Sequence, residues 1–229
     1  MKILKRGFSR KYEDLRLRID CVDVLVAIKE AFRYIELSSM LDLPVSTLSK
    51  YYHGLTIPDK ETSKRILSKL LSREIVKDFI HRLIRNKKYG SLVKLLSNPL
   101  ITNYLSLYFY MKIIDRLAGT NVTALIAPPD TSVLLALGIA FRLDVPLALI
   151  QSTATPIYES LELVREVGID KGSSTIAIYS ILGRECIPYL KKFIELLKLD
   201  LKFIGTIILV DRPILNELPK KVTVEYLLP

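Results

Sequence analysis

Four continuous apolar runs in the second half of the chain leave few folds open to it. Residues 122–127 (VTALIA), 146–150 (PLALI), 175–179 (TIAIY) and 203–210 (FIGTIILV) lack the in-out alternation of a half-exposed strand. Strands buried on both faces read this way, and such burial belongs to parallel sheets covered by helices. Residues 131–143 and 187–199 carry apolar positions at helical spacing and fit the crossovers between them. Strands alternating with helices imply a right-handed, mostly parallel α/β sheet. On such a sheet, ligands sit outside the carboxyl ends of the strands.

The first half reads as helices. Residues 34–54 (YIELSSMLDLPVSTLSKYYHG) describe two short helices with a break too brief for independent ones. Ile35, Leu37, Met40 and Leu41 give the first an apolar face, Leu43 enters the turn, and Leu48 fixes the second against the first. Asp42 stands where the chain reverses, and Asp tolerates a left-handed backbone better than most residues. Pro44 suits the first turn of the second helix, where no intrahelical N–H is lost. Gly54 is placed to end that helix in a left-handed conformation. Residues 21–33 form a supporting helix before the pair. Pro58 and Asp59 open another after it, with Ile66, Leu67, Leu70 and Leu71 as its buried stripe. Helical pattern continues through residues 72–120, punctuated at Tyr89-Gly90 and Asn98-Pro99. The aromatic cluster Tyr104, Tyr108, Phe109 and Tyr110 there suits a core or a dimer face.

Charge narrows the partners. The net charge is +10, but residues 1–90 carry 20 Lys and Arg against 11 Asp and Glu, and residues 91–229 carry 14 against 13. A basic part joined to a nearly neutral remainder suggests a polyanion-binding module attached to something else; the alternative is a solvated, Lys-rich surface. Residues 1–20 read as an arm or a first strand or helix, and Lys2, Lys5, Arg6, Arg10, Lys11, Arg16 and Arg18 make them either a phosphate-contacting arm or part of that surface. The most apolar stretch, residues 133–150, is interrupted by Arg142, Asp144 and Pro146, whereas a membrane span needs about 20 apolar residues in a row. The basic amino terminus has no apolar core of signal-peptide length, so a cytoplasmic protein without membrane contact is expected. Cys21 and Cys186 lack CxxC spacing and are expected as buried free thiols. His53 and His81 have no ligand partners in sequence, and neither a metal nor a cofactor is expected.

The stretch ELSSMLDLPVSTLSKYYHG, followed by TIPD and a further helix, resembles the Cro/phage-repressor class of helix-turn-helix domain over residues 20–71. Glu36, Leu37 and Ser38 match its first helix, and Tyr52, His53 and Gly54 match the end of its second. Asp42 stands where Gly is usual, and Tyr51 and Tyr52 depart from the pattern near the helix end. The resemblance implies DNA reading by Val45, Ser46 and Lys50 at base edges, with Ser49 and His53 exposed on the same helix and phosphate contacts from Tyr34, Thr56 and Lys60. Lys50 would donate to guanine and Val45 would suit a thymine methyl. A hairpin that only packs would leave Lys50 and His53 as ordinary surface residues.

The runs VTALIAPPDTSVLLALGIAFRLDVPLALI and STIAIYSILGRECIPYLKKFIELLKLDLKFIGTIILVDRP resemble the type I phosphoribosyltransferase fold over residues 95–215. In that family the strand corresponding to TIAIY leads into two acidic residues and a Thr/Gly-rich loop whose N–H groups cradle a 5-phosphate. Here it leads into Ser180-Ile181-Leu182-Gly183-Arg184-Glu185, with no acidic pair, one Gly and no Thr. The first loop, Pro128-Pro129-Asp130-Thr131-Ser132, lacks the glycines that permit close approach to pyrophosphate. The domain is therefore expected to be catalytically inactive, with Asp130, Thr131, Ser132, Ser180, Gly183 and Arg184 at the position of the site. They either bind another small molecule or close a vestigial cleft.

Together these readings give a multidomain chain: an all-α helix-turn-helix domain at residues 1–75, a helical linker at 76–94, and an α/β phosphoribosyltransferase-like domain at 95–229. The combination resembles prokaryotic, including archaeal, regulators of purine and pyrimidine metabolism. It implies a homodimeric transcriptional regulator that binds double-stranded DNA and senses a nucleotide-related effector through its second domain, and not an enzyme. The competing expectations are a divergent phosphoribosyltransferase of nucleotide salvage, and an interaction module whose basic region meets an acidic protein.

Overall fold

The computed structural model describes residues 10–85, 89–150, 162, 164–210 and 212–229. Residues 1–9 of the expected arm and residues 86–88 of the basic segment lie outside these. The chain divides into two compact units, at Tyr108 and Phe109.

The amino-terminal unit is helical: α1 (Arg10–Ile28), α2 (Tyr34–Leu41), α3 (Val45–Tyr52), α4 (Lys60–Leu70), α5 (Arg73–Arg85), α6 (Leu92–Leu96) and the first part of α7 (Pro99–Arg116). Leu37 and Leu41, one turn apart on α2, are buried with Leu48 of α3, and burying each such side chain contributes about 1.5–3 kcal/mol. Ile35 does not join them and is 74% exposed. It lies two residues, about 200° of helix, from Leu37, so the expected four-residue apolar face contracts. Between the helices Asp42 adopts a left-handed φ of 53°. Its N–H bonds to the Ser38 carbonyl, and the Ser38 hydroxyl donates to the Leu43 carbonyl at 2.6 Å. Pro44 sits just before α3 rather than in its first turn. Gly54 has φ 67°, and Asp59 caps α4 by accepting from the Thr62 N–H at 2.9 Å.

The supporting helix runs over residues 10–28, not 21–33, so of the arm, strand or helix expected for residues 1–20, Arg10 to Arg18 take the helix, as part of α1. Residues 76–94, expected as a linker, supply Val76, Phe79, Ile80 and Leu83 to the core. The aromatic cluster resolves as core: Tyr104, Tyr108 and Phe109 are buried, and the Tyr104 hydroxyl donates to the Leu70 carbonyl.

The carboxyl-terminal unit is a parallel-sheet α/β domain. It holds β1 (Ala124–Ala127), α8 (Ser132–Leu143), β2 (Leu147–Leu149), β3 (Ser174–Leu182), α9 (Cys186–Leu197), β4 (Asp200–Leu209), a 3-10 helix (Arg212–Glu217) and β5 (Thr223–Leu228). The five strands lie in the order β2-β1-β3-β4-β5, every pair parallel. Strand β5, which sequence pattern does not reveal, pairs with β4 from Phe203↔Thr223 to Ile208↔Leu228. β3 does not end at Tyr179 but continues through Leu182, which pairs with Leu209. Cys186 is half-buried rather than buried. Gly205 of β4 is closely covered: a Cβ there would lie 3.0 Å from both Ile178 Cδ1 and Phe109 Cδ1.

Replacing Gly205 with Ala is therefore expected to destabilise the chain by about 1–3 kcal/mol through overpacking, read as a lower denaturant midpoint at unchanged slope. The two thiols should also separate. Burial pushes the Cys21 thiol up to about 12 at no measurable exposure, whereas Cys186 is raised by burial but partly accessible. Because the thiolate is the reactive form, native protein treated with a thiol reagent should label at Cys186 before Cys21, as peptide mapping would show.

Candidate functional sites

On the helical unit, α3 presents Val45, Ser46 and Lys50 to solvent, with His53 exposed just after it and Ser49 half-buried. Steps of one, four, five and eight residues from Val45 place all five on one face of a helix, opposite Leu48. Tyr34, at the start of α2, stacks edge-on with Tyr52 at 5.9 Å, and Tyr52 does the same with His53 at 5.0 Å. Lys29 Nζ lies 3.8 Å from the centre of the Tyr34 ring, a cation–π contact that no spacing in the sequence signals. Thr56 is exposed, while Lys60, expected at a phosphate, is paired with Asp14 Oδ1 at 2.6 Å.

The pair is held from behind by Arg82 of α5. Its guanidinium donates to Glu36 Oε1 at 2.6 Å and to Asp78 Oδ2 at 3.0 Å, and lies 4.1 Å from the centre of the Phe32 ring. The other Glu36 oxygen accepts from the Arg33 N–H at 2.7 Å. One carboxylate thus caps the start of α2 and ties it to α5, across 46 residues of sequence.

In the sheet unit the chain leaves β1 toward β2 and returns to β3 on the other side of β1. The carboxyl ends of β1 and β3 therefore flank a topological switch point, where α/β sheets hold their ligands. Around those ends lie the six expected residues: Asp130 and Thr131 in the loop after β1, Ser132 at the start of α8, Ser180 in the last part of β3, and Gly183 and Arg184 just after it. β3 outruns β1: the β1–β3 pairing ends at Ile126↔Ala177, so the Ser180 N–H lies beyond any β1 partner. The Ser132 hydroxyl accepts it at 2.7 Å, and the two hydroxyls lie 3.2 Å apart. The Thr131 hydroxyl donates to Ser180 Oγ at 2.8 Å, and Asp130 Oδ1 accepts from the Ser132 N–H at 2.7 Å. Ser132 and Ser180 are buried, Thr131 is half-buried and Asp130 exposed. Asp130, Thr131, Ser132 and Ser180 are thus brought together and bonded to one another.

Gly183 and Arg184 behave differently. The carboxylate of Glu185 folds back over Gly183, occupying the space a Cβ would take. The Arg184 side chain is mostly exposed and turns to Glu217 Oε1 at 3.7 Å, while Lys191 meets the other oxygen of Glu217 at 3.4 Å. Neither Glu185 nor Glu217 belongs to the residues that the resemblance implies for the site. An acid at the start of α9 is a common helix-start feature that could have marked Glu185; Glu217 has no such signal. Beneath the crevice, burial first and the nearby Cys186 and Asp130 next raise the Tyr179 hydroxyl well above its ordinary value, so it stays protonated.

No protein-family model matches the chain, and no curated protein matches it in sequence. Solved structures resemble it in part. Adenine phosphoribosyltransferase from Saccharomyces cerevisiae is 16% identical over 59% of this chain and 83% of its own, with a TM-score of 0.49. The adenine phosphoribosyltransferase from Thermoanaerobacter pseudethanolicus is 15% identical over 59% and 84%, with a TM-score of 0.44. UMP synthase from Leishmania donovani is 16% identical over 74% of this chain and 39% of its own, with a TM-score of 0.48. At such identities the likeness concerns fold alone, and TM-scores this low carry no argument about chemistry.

The Glu36 contacts have a pH signature. The Arg33 N–H foremost, and then the Arg82 guanidinium, hold its carboxyl below the ordinary 4.5. A depressed folded-state value means stabilisation that is present above 4.5 and lost as pH falls through the folded value. As pH falls below the ordinary 4.5 the wild type should lose more stability than Glu36→Gln, so that their thermal midpoints converge on acidification.

Proposed function

We propose that the chain is a homodimeric DNA-binding transcriptional regulator, acting in the cytoplasm, whose parallel-sheet unit transfers no phosphoribosyl group. The reading is carried by one observation. α3 is a short helix fixed through Leu48 to its neighbour across a left-handed turn, and it exposes small, polar and basic side chains on one face. That is the form a helix takes when it enters the major groove. Val45, Ser46 and Lys50 are the base-edge contacts, Ser49 and His53 lie beside them, and Tyr34 and Thr56 meet phosphate. Lys60 reaches phosphate only by leaving Asp14.

In this reading the sheet unit dimerises the chain and senses a nucleotide-related ligand at the switch point. Two copies would set their α3 helices about 34–36 Å apart on an imperfectly palindromic operator. The absence of transfer chemistry is supported by the crevice. The Thr131, Ser132 and Ser180 hydroxyls satisfy one another, and the Glu185 carboxylate lies over the single glycine of the second loop. A phosphate entering that loop would meet like charge.

Selection from random duplexes is expected to return an enriched sequence with two-fold character. Lys50→Ala should weaken that site by about 1–3 kcal/mol and relax preference at one base pair. An equal loss on every sequence would make Lys50 a phosphate contact instead. Absence of duplex binding even at low salt would overturn the regulator reading. Turnover of phosphoribosyl pyrophosphate with any common nucleobase would overturn the assignment of the sheet unit as inactive.

A further inference from the structure

Helix α1 is apolar on two opposite faces. One face, with Cys21, Val24, Leu25 and Ile28, is buried in its own unit. On the other, Tyr12, Leu15 and Ile19 are 43%, 46% and 45% exposed, and Val22 and Val26 continue the line half-buried. A surface helix ordinarily has one apolar stripe and a polar back. An exposed apolar residue alone needs no explanation, but these five recur at alternating steps of three and four residues. That is the spacing of a coiled-coil seam, with Tyr12, Ile19 and Val26 in one set of positions and Leu15 and Val22 in the other.

We propose that this stripe is a seam on which α1 of a second copy of the chain packs antiparallel. A two-fold pair uses the same surface twice, and the charges beside the stripe complement themselves. Arg16 and Asp23 lie seven residues apart on the same edge of the seam. With the helices antiparallel, Ile19 packs beside Val22 of the second copy and Leu15 beside Val26. Each Arg16 is then set alongside the other copy's Asp23, whose Oδ2 also accepts from Asn103 Nδ2 of its own chain at 3.3 Å, and the contact forms twice. Along α1 as a whole, the amino half carries Arg10, Lys11, Arg16 and Arg18 against Glu13 and Asp14, whereas the carboxyl half carries Asp20 and Asp23 and no Lys or Arg. Antiparallel packing sets basic halves against acidic ones, while a partner of one sign would suit only half of the helix. On the opposite edge, Arg18 Nε donates to the Pro58 carbonyl at 2.7 Å, which directs its guanidinium toward the start of α4. Five side chains per copy make a seam below the roughly 1,200 Å² of strong interfaces, so it acts as a weak second contact. It does not rest on DNA binding.

The test uses the full chain with Cys186→Ser, carrying either Ile19→Cys or Val22→Cys. Under mild oxidation an equimolar mixture of the two should give several-fold more disulfide-linked dimer than either alone, because position 19 faces position 22 across the seam. Single variants that each link at least as well as the mixture would mean a parallel pair, and no linked dimer in the mixture would mean no seam; either overturns the proposal. A second measurement does not depend on disulfide geometry. In sedimentation equilibrium, Arg16→Asp should weaken self-association several-fold, and Arg16→Asp with Asp23→Arg should restore it, with helicity by circular dichroism unchanged in both. Association indifferent to Arg16→Asp, or not restored by the exchange, also overturns it. A gel shift on the same variants reads the regulator hypothesis separately.

Discussion

The adjacency of β1 and β3 at the centre of the sheet is the constraint on which the carboxyl-terminal unit depends. Because the chain goes out to β2 and returns past β1, two loops must rise side by side from neighbouring strands. Anything those loops do not bind, they must satisfy themselves. β3 extends beyond β1, and its Ser180 N–H would be stranded without the Ser132 hydroxyl; leaving such a buried donor unpaired costs about 1–3 kcal/mol. The hydroxyls that could have faced a ligand are thus spent on closing the end of the strand. Structure and proposed loss of chemistry have one origin here, in the extra length of a single strand.

The helical unit has a comparable dependence on Arg82. α2 and α3 are each eight residues long, too short to be stable alone in water. Their order comes from packing on Leu37, Leu41 and Leu48 and from the Glu36 carboxylate that Arg82 holds at the start of α2. The ion pair is partly exposed, so its energetic weight is modest. Its geometric role is larger, because it fixes where α2 begins and hence how α3 is presented.

Much of this was legible in the sequence, and what was not has a physical pattern. The runs that became β1 to β4 are continuous and apolar, the direct mark of strands buried on both faces. β5 carries no such mark because TVEYLL includes Glu225, which is 7% exposed in the fold. Ser180 read as the first residue of a loop, since Ser favours turns, and only a hydroxyl 48 residues away makes it a strand residue. The turn at Asp42 could be placed because a left-handed residue between two apolar stripes is a local signal. The Glu36–Arg82 and Lys29–Tyr34 contacts could not, because side chains that meet only after packing leave no periodicity. The sequence places the six expected residues by the carboxyl ends of β1 and β3, but the bonds among Asp130, Thr131, Ser132 and Ser180, and the Glu185 carboxylate above Gly183, depend on rotamers that it does not state.

Among the described residues, three helices end in left-handed residues that are not glycine: Asp42 after α2, Asp144 after α8 and Lys198 after α9. Each carries strain in the folded state that glycine would avoid. In exchange the unfolded chain is stiffer at those points than glycine would leave it. The first effect is largely energetic, whereas the second is entropic and its free energy grows in proportion to temperature. The balance at these three helix ends therefore moves toward the folded state on heating, and a chain with only nine glycines in 229 residues gains most from this arrangement when it is warm.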